Sequence, residues 1–275
     1  MSGIRSPFPQ EQATKPALLL VTHGVEGGPG VAARHAARLQ TLWPQVTIQA
    51  ACLRGRPVLE EALASLSPRP VIVLPLLMAD GYILDWLNQR LASVGGRIRA
   101  LPPVGAELGI AAILRQMARE AIAATGWPAA ATTLLLVGHG TPRHPQSGRT
   151  LAMQAARLQT RGDFPTVATA FLEQEPKFAV RVREYAGVPL VVLGFFADAG
   201  PHGCDDVQRV LADLPTAYYA GVVGERVELV FVLARMAAVV LQMPEVDVAG
   251  GPSTFAHTAK GQLGMGSRRR CRLEA

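Results

Sequence analysis

The sequence of 275 residues is poor in aromatic side chains, which make up 5% of it, and in cysteine, of which it has three. Cys52, Cys204 and Cys271 are far apart, odd in number and form no CxxC pair. This pattern argues against a disulfide framework and against an iron–sulfur cluster. Alanine, leucine and valine must therefore form most of the core, and they favour helices that pack closely on a sheet.

Long hydrophobic runs are also missing. The longest, at 227–241, has 15 residues and contains Arg235, which is too short to cross a bilayer. Residues 1–17 show no apolar segment of the kind found in signal peptides. We therefore expect a soluble, cytoplasmic protein that does not bind membranes.

Positive charge is unevenly distributed along the chain. Of the net charge of +6, +4 lies after His257, in a segment that is first rich in glycine and then in arginine. Such a composition predicts a basic, disordered tail over 246–275. A solvated tail is favoured over a nucleic-acid site, so we expect no nucleic-acid partner.

Two parts of the chain resemble each other. The string LLLVTHG at 18–24 returns as LLLVGHGT at 134–141, and AARLQT at 36–41 returns unchanged at 155–160. The offset is 116 residues at the first pair and 119 at the second. A period of this length indicates a duplicated domain.

Each half alternates short apolar runs with segments of helical periodicity. Runs such as VIVLP and LVVLG are apolar on both faces, as expected of parallel strands that helices cover on both sides. The fold class predicted is α/β, with two duplicated doubly wound parallel-sheet domains that face one cleft. The predicted strands are 17–22, 46–51, 70–74, 97–101, 133–137, 166–171, 189–193 and 216–220. The predicted regions are an N-terminal extension at 1–16, a first half at 17–126, a second half at 127–245 and the tail at 246–275.

Candidate ligands follow three strands of the second half. In open parallel sheets, ligands bind at the carboxyl ends of strands, and His139, Glu173 and His202 stand just past three such ends. Two imidazoles and a carboxylate suit a divalent transition metal with open positions, and they also suit proton transfer near neutral pH. We predict that these three residues form the metal and catalytic site.

The first half has lost most of this set. At the equivalent positions it carries His23, Arg54 and Ile83, and neither arginine nor isoleucine can ligate a metal. We therefore predict a degenerate site there. His23 is either a relic that hydrogen-bonds its own loop or a residue that faces the same cleft, and we favour the relic.

The motifs of the second half resemble those of a known enzyme family. LLLVGHGT at 134–141, AFLEQEP at 170–176 and LGFFADAGPHGCDD at 193–206 are similar to the motifs of class II tetrapyrrole metal chelatases, specifically the CbiX/SirB-type sirohydrochlorin chelatases. The resemblance covers 18–241 and places His139, Glu173 and His202 at the family's metal and catalytic positions. In many long members the working histidines lie in the N-terminal half. Placement in the C-terminal half is instead similar to the cobalt chelatases of anaerobic cobalamin synthesis and to protohaem ferrochelatases.

This resemblance implies a chelatase, a lyase that inserts Co²⁺ or Fe²⁺ into sirohydrochlorin in cobalamin or sirohaem biosynthesis. The divalent metal ion and the tetrapyrrole would be the substrates, no organic cofactor would be needed, and the protein would be a monomer or a homodimer. Because sirohydrochlorin carries many carboxylates, the cleft should be locally basic. The candidates for substrate binding are Arg143, His144, Gly140 and Thr141, with Arg149 and Lys177 nearby.

Two other functions compete with the chelatase. A histidine phosphatase needs an arginine before its nucleophilic histidine to hold the phosphate, but Thr22 and Gly138 stand there. A non-catalytic carrier of metal or tetrapyrrole on the same fold remains open, because it would need the same residues.

Overall fold

The computed structural model describes residues 15–24, 28–94, 97–144 and 146–241. Almost all of the predicted N-terminal extension and the whole predicted basic tail at 246–275 lie outside these residues. Within the part that is described, no helix is both long and apolar enough to cross a membrane.

The first half contains one parallel sheet of four strands in the order β2-β1-β3-β4. Its strands are β1 (Ala17–Thr22), β2 (Ile48–Cys52), β3 (Val71–Pro75) and β4 (Ile98–Ala100). Its helices are α1 (Gly30–Leu42), α2 (Leu59–Leu66), α3 (Tyr82–Val94) and α4 (Leu108–Thr125).

The second half repeats this plan with a parallel sheet in the order β6-β5-β7-β8. Its strands are β5 (Thr133–Gly138), β6 (Thr166–Phe171), β7 (Leu190–Gly194) and β8 (Ala217–Val222). Its helices are α5 (Arg149–Gln159), α6 (Phe178–Arg181), α7 (Val207–Leu211) and α8 (Leu229–Leu241). The equivalent strand orders confirm the predicted α/β fold with two sheets of the same design.

Each central strand is buried on both faces. In β1, Leu18 and Leu20 point into a core that lies between the two sheets, whereas Leu19 and Val21 point into an outer core under α2 and α3. In β5, Leu134 and Leu135 divide in the same way between the central core and an outer core under α6 and α7. This alternation follows from the period of two along a strand, and it explains why the sequence is apolar at every position of these strands.

The last helix of each half packs on the sheet of the other half. Helix α4 lies against β7 and β8, and α8 lies against β3 and α1. Their buried faces belong to one continuous core that also includes α1 and α5. The predicted boundary near residue 126 therefore separates the two sheets in sequence, while the packing joins them.

Two equivalent side chains tie the halves together reciprocally. On α1, Nε2 of the buried His35 donates to the carbonyl oxygen of Gly224, at 2.9 Å. On α5, Nε2 of the buried Gln154 donates to the carbonyl oxygen of Gly105, at 2.7 Å. The two donors, His35 and Gln154, are 119 residues apart in the sequence, and so are the two acceptors, Gly105 and Gly224. Each half therefore offers one buried donor to the equivalent turn of the other half.

Burial keeps His35 neutral and lowers its pKa to about 4, and the nearby guanidinium of Arg38 acts in the same direction. Arg38 Nη1 donates to Nδ1 of His35 at 3.3 Å, so the ring needs an unprotonated Nδ1. A second proton would make this ring a cation, buried away from water and next to the positive charge of Arg38, which is unfavourable.

We predict that His35 makes the fold sensitive to acid. Between pH 6.5, the ordinary histidine pKa, and about pH 4, the unfolded chain binds a proton that the folded chain excludes. The free energy of unfolding should therefore decrease as pH falls through this window, by about 3 kcal/mol in total. The variant His35→Gln keeps a neutral donor, as Gln154 does, and should lose less stability in acid. Urea denaturation at several pH values measures this, and an identical loss in both proteins would contradict the prediction.

Candidate active site

The carboxyl ends of the central strands carry the predicted site residues. Glu173 lies beside His139 because its N–H donates to the carbonyl oxygen of His139, at 2.9 Å. In the first half, the N–H of Arg54 donates to the carbonyl oxygen of His23, at 2.8 Å. The backbone therefore forms the same arrangement twice, which we call the corner: a histidine at the end of a central strand accepts, on its carbonyl oxygen, from the residue two positions after the neighbouring strand. The two corners differ in the side chains they present.

A glycine follows the histidine in both copies for a steric reason. Gly140 has a φ of +67°, and a Cβ there would lie 2.8 Å from the Cβ atoms of Phe171 and Gln174. Gly24 has a φ of +100°, and a Cβ there would collide with the carbonyl oxygen of Arg54. The left-handed backbone and the close neighbouring strand both require glycine. The fold therefore explains the glycine of each His-Gly pair, whatever the histidine does.

His139 and Glu173 face each other across a short gap. His139 Nδ1 lies 2.8 Å from the carbonyl oxygen of Gly140 and donates to it. The neutral ring then has a free lone pair on Nε2, and this atom lies 3.7 Å from Glu173 Oε1. Two ligands bound at about 2.1 Å to one ion at a tetrahedral angle are roughly 3.4 Å apart. The gap is close to the separation that a shared metal ion requires.

His202 approaches from the loop after β7, on a π-helical turn at His202–Asp206. Its ring centroid lies 4.7 Å from that of His139, and the two rings are nearly perpendicular. His202 Nδ1 donates to Asp206 Oδ2 at 2.8 Å, which leaves Nε2 of the neutral ring free, as in His139. Asp206 is in turn held by Arg209 Nη1 at 2.9 Å.

Asp206 acts as a positioning residue for His202. The hydrogen bond from His202, together with that from Arg209, lowers the pKa of the Asp206 carboxyl, so it stays charged. A carboxylate on the far nitrogen of a metal-binding histidine fixes the ring and raises its basicity. Sequence reasoning gave Asp206 no such role, although an acidic residue four positions after a histidine on a helical turn was a usable signal.

The three predicted ligands converge but do not form a finished metal shell. Within the described residues, no group of three or more histidine, cysteine, aspartate or glutamate side chains is already arranged to hold an ion. The side chains of His139, Glu173 and His202 are 44%, 56% and 54% exposed. They are thus accessible to an arriving ion, and their role as ligands remains a prediction.

His23 lies in the same neighbourhood as the two histidines of the second half. Burial lowers its pKa, the positive charge of Arg54 lowers it further, and His139 and His202 add smaller effects in the same direction. A hydrogen bond to the backbone of Gly24 opposes these effects. His23 is thus within electrostatic range of both histidines of the second half, and the choice between a relic and a residue that faces a shared cleft stays a prediction.

The predicted substrate-binding residues lie on the loop after β5. His144 Nε2 is 3.5 Å from Asp85 Oδ2 on α3, so this loop reaches across to the first half. The N–H of Thr141 donates to Gln174 Oε1 at 3.2 Å. The carbonyl oxygen of Gly140 accepts from His139 Nδ1. Arg143 is exposed. Contact of these four residues with substrate stays a prediction.

Two parallel four-stranded sheets whose carboxyl ends bring histidines and a glutamate together define the chelatase-like class of α/β proteins. Comparison with known proteins agrees with this class. The solved structure of CbiX, described as the terminal enzyme for biosynthesis of sirohaem in denitrifying bacteria, is 27% identical and has a TM-score of 0.66; the match covers 81% of this chain and 98% of that one. SirB from Bacillus subtilis, solved with Fe³⁺, is 20% identical and has a TM-score of 0.65; the match covers 84% of this chain and 100% of the SirB chain.

Sequence comparisons place the chain more narrowly. The CbiX family model matches residues 133–239, which is the half that carries the complete set of candidate ligands. A "Probable sirohydrochlorin cobaltochelatase" of Halobacterium salinarum is 24% identical over 221 residues, which are 70% of this chain and 75% of that protein. The second half of the chain is therefore similar to the CbiX family, and the whole chain has the fold of the CbiX structure.

We predict that Gly140→Ala is more harmful than Gly162→Ala. Gly162 has a φ of +70°, close to that of Gly140, but a Cβ there would meet nothing within 4 Å. Gly162→Ala should thus cost only the left-handed strain, roughly 1 kcal/mol. Gly140→Ala should lower the free energy of unfolding by more, because the new methyl group must displace Phe171 or Gln174. Urea denaturation of both variants makes the comparison, and equal losses would show that crowding at Gly140 is unimportant.

Proposed function

We propose that this protein is a sirohydrochlorin chelatase that inserts Co²⁺ or Fe²⁺ into the macrocycle. The observation that carries the proposal is the convergence of His139, Glu173 and His202, with the Nε2 atoms of both imidazoles left free by their hydrogen bonds. The CbiX and SirB matches support the same activity. The name of the Halobacterium salinarum relative refers to cobalt, and the SirB structure was solved with Fe³⁺, so both ions are kept in the proposal.

The first task of such a site is to hold the incoming ion without trapping it. Imidazole nitrogen and carboxylate oxygen are suitable ligands for Co²⁺ and Fe²⁺. Three protein ligands leave coordination positions open, and the pyrrole nitrogens of the substrate can occupy them. The exposure of all three side chains fits an ion that arrives from solvent and leaves with the product.

The second task is to remove two protons, because the metal replaces the hydrogens on two pyrrole nitrogens. A group that accepts them must be a free base near neutral pH and must reach the centre of the macrocycle. Imidazole and carboxylate are the side-chain groups most often used in this way, and His139, His202 and Glu173 supply them. Asp206 keeps His202 in the tautomer that can accept a proton on Nε2.

We expect His139→Ala and His202→Ala to abolish most of the metal insertion while the protein stays folded, since both residues are exposed and contribute little to the core. Loss of a general base alone lowers a rate on the order of 10²–10⁴-fold. His23→Ala should lower activity far less, because Arg54 and Ile83 prevent a metal shell from forming around it. The change in absorbance of sirohydrochlorin on addition of Co²⁺ or Fe²⁺ gives the rates.

The same assay tests the proposal against its alternatives. A metal or tetrapyrrole carrier would bind one equivalent of ligand and show no turnover above the rate in buffer. A loss in His23→Ala as large as that in His202→Ala would mean that the first half supplies a proton acceptor to the shared cleft, and the site would then need both halves.

A further inference from the structure

Arg54 occupies the position in the first half that Glu173 occupies in the second. Both residues come two positions after their strand, β2 or β6, and each donates its N–H to the carbonyl oxygen of the histidine in the neighbouring strand end. Each is followed three residues later by a proline with a cis peptide bond. The corner is thus conserved in backbone while the charge of its side chain is inverted.

Arg54 has no ion-pair partner among the described residues, whereas Arg56, two positions later, pairs with Glu61 at 3.0 Å. Arg90, which lies over the same indole ring of Trp86 as Arg54, is held by Glu60. The guanidinium carbon of Arg54 is 5.7 Å from the centre of that ring, so the indole supports the side chain while its N–H donors stay available.

Arg54 stands at the same edge of its sheet as His23. Its N–H donates to the carbonyl oxygen of His23 at 2.8 Å, and its side chain is exposed. A fixed cation at this place disfavours a second metal ion. It favours an anion, and an arginine pairs best with a carboxylate, through two parallel hydrogen bonds.

We propose that Arg54 binds a carboxylate of the tetrapyrrole substrate and so holds the macrocycle against the metal-binding half. This inference rests on the proposed function, since it takes a polycarboxylate macrocycle as the ligand. One half of the duplicated chain then handles the ion, and the other half holds the acidic periphery of the ring.

The test measures binding of metal-free sirohydrochlorin and of Co²⁺ separately, on the full chain. Arg54→Met keeps the apolar stem on Trp86 and removes the charge. It should weaken sirohydrochlorin binding roughly 10- to 100-fold, the range for a hydrogen bond to a charged group, and leave Co²⁺ binding unchanged. Arg56→Met removes an adjacent exposed arginine as a matched control and should bind both ligands as the original protein does.

Two further readouts separate this role from a merely structural one. Arg54→Lys should recover part of the sirohydrochlorin affinity, because it restores the charge without the paired donors. Raising the ionic strength should weaken binding to the original protein more than binding to Arg54→Met, since exposed charges are screened by salt. Fluorescence titration serves for the macrocycle and calorimetry for the ion.

The outcomes also separate this inference from the proposed function. If the original protein binds sirohydrochlorin and inserts metal, but Arg54→Met binds the macrocycle equally well, the inference about Arg54 is wrong and the chelatase function stands. If the original protein neither binds sirohydrochlorin nor inserts metal, both are wrong. Equal weakening in Arg54→Met and Arg56→Met would also overturn the inference, because it would reveal a general effect of surface charge.

Discussion

The exchange of helices between the halves is the constraint on which the rest of the structure depends. Helix α4 covers the second sheet and α8 covers the first, so neither sheet has a complete core without the other half. The hydrogen bonds of His35 and Gln154 are made at the same interface. Because this interface is continuous, the two sets of strand ends are held at a fixed separation. Histidines from both halves can then influence one another even though they are more than a hundred residues apart in sequence.

Duplication followed by divergence accounts for the different charges of the two corners. The backbone of the corner after β2 is reproduced after β6, with equivalent hydrogen bonds and an equivalent cis-proline. What differs is the side chain that each corner presents, a guanidinium in one copy and a carboxylate in the other. A single fold can thus present opposite charges at two equivalent positions, because the positions are set by the backbone and the charge is set by the side chain.

Much of the fold could be predicted from the sequence because its signals are local. Buried parallel strands are apolar at every position, so β1, β3, β5 and β7 are recognisable and their bounds are nearly those expected. The exchange of α4 and α8 was not predictable in this way. An amphipathic pattern shows that a helix has a buried face, but it does not show which sheet covers that face.

The candidate site, too, could be predicted only in part. The strand-end rule located His139, Glu173 and His202, because topology brings the ends of parallel strands together. The second partner of each ring could not be derived, since the carbonyl of Gly140 and the carboxylate of Asp206 depend on the local course of the chain. The position of His23 near the other imidazoles depends on how the halves dock, which no local pattern encodes.

The crowding around Gly24 and Gly140 has a consequence for the recognition of such sites. Each glycine is required by its own backbone and by the neighbouring strand, whether or not the histidine before it does any chemistry. A search for strands that end in His-Gly would therefore find two sites in this chain. The residue that distinguishes the two copies lies two positions after the adjacent strand, Arg54 in one and Glu173 in the other, and only the acidic one offers a ligand to a metal ion.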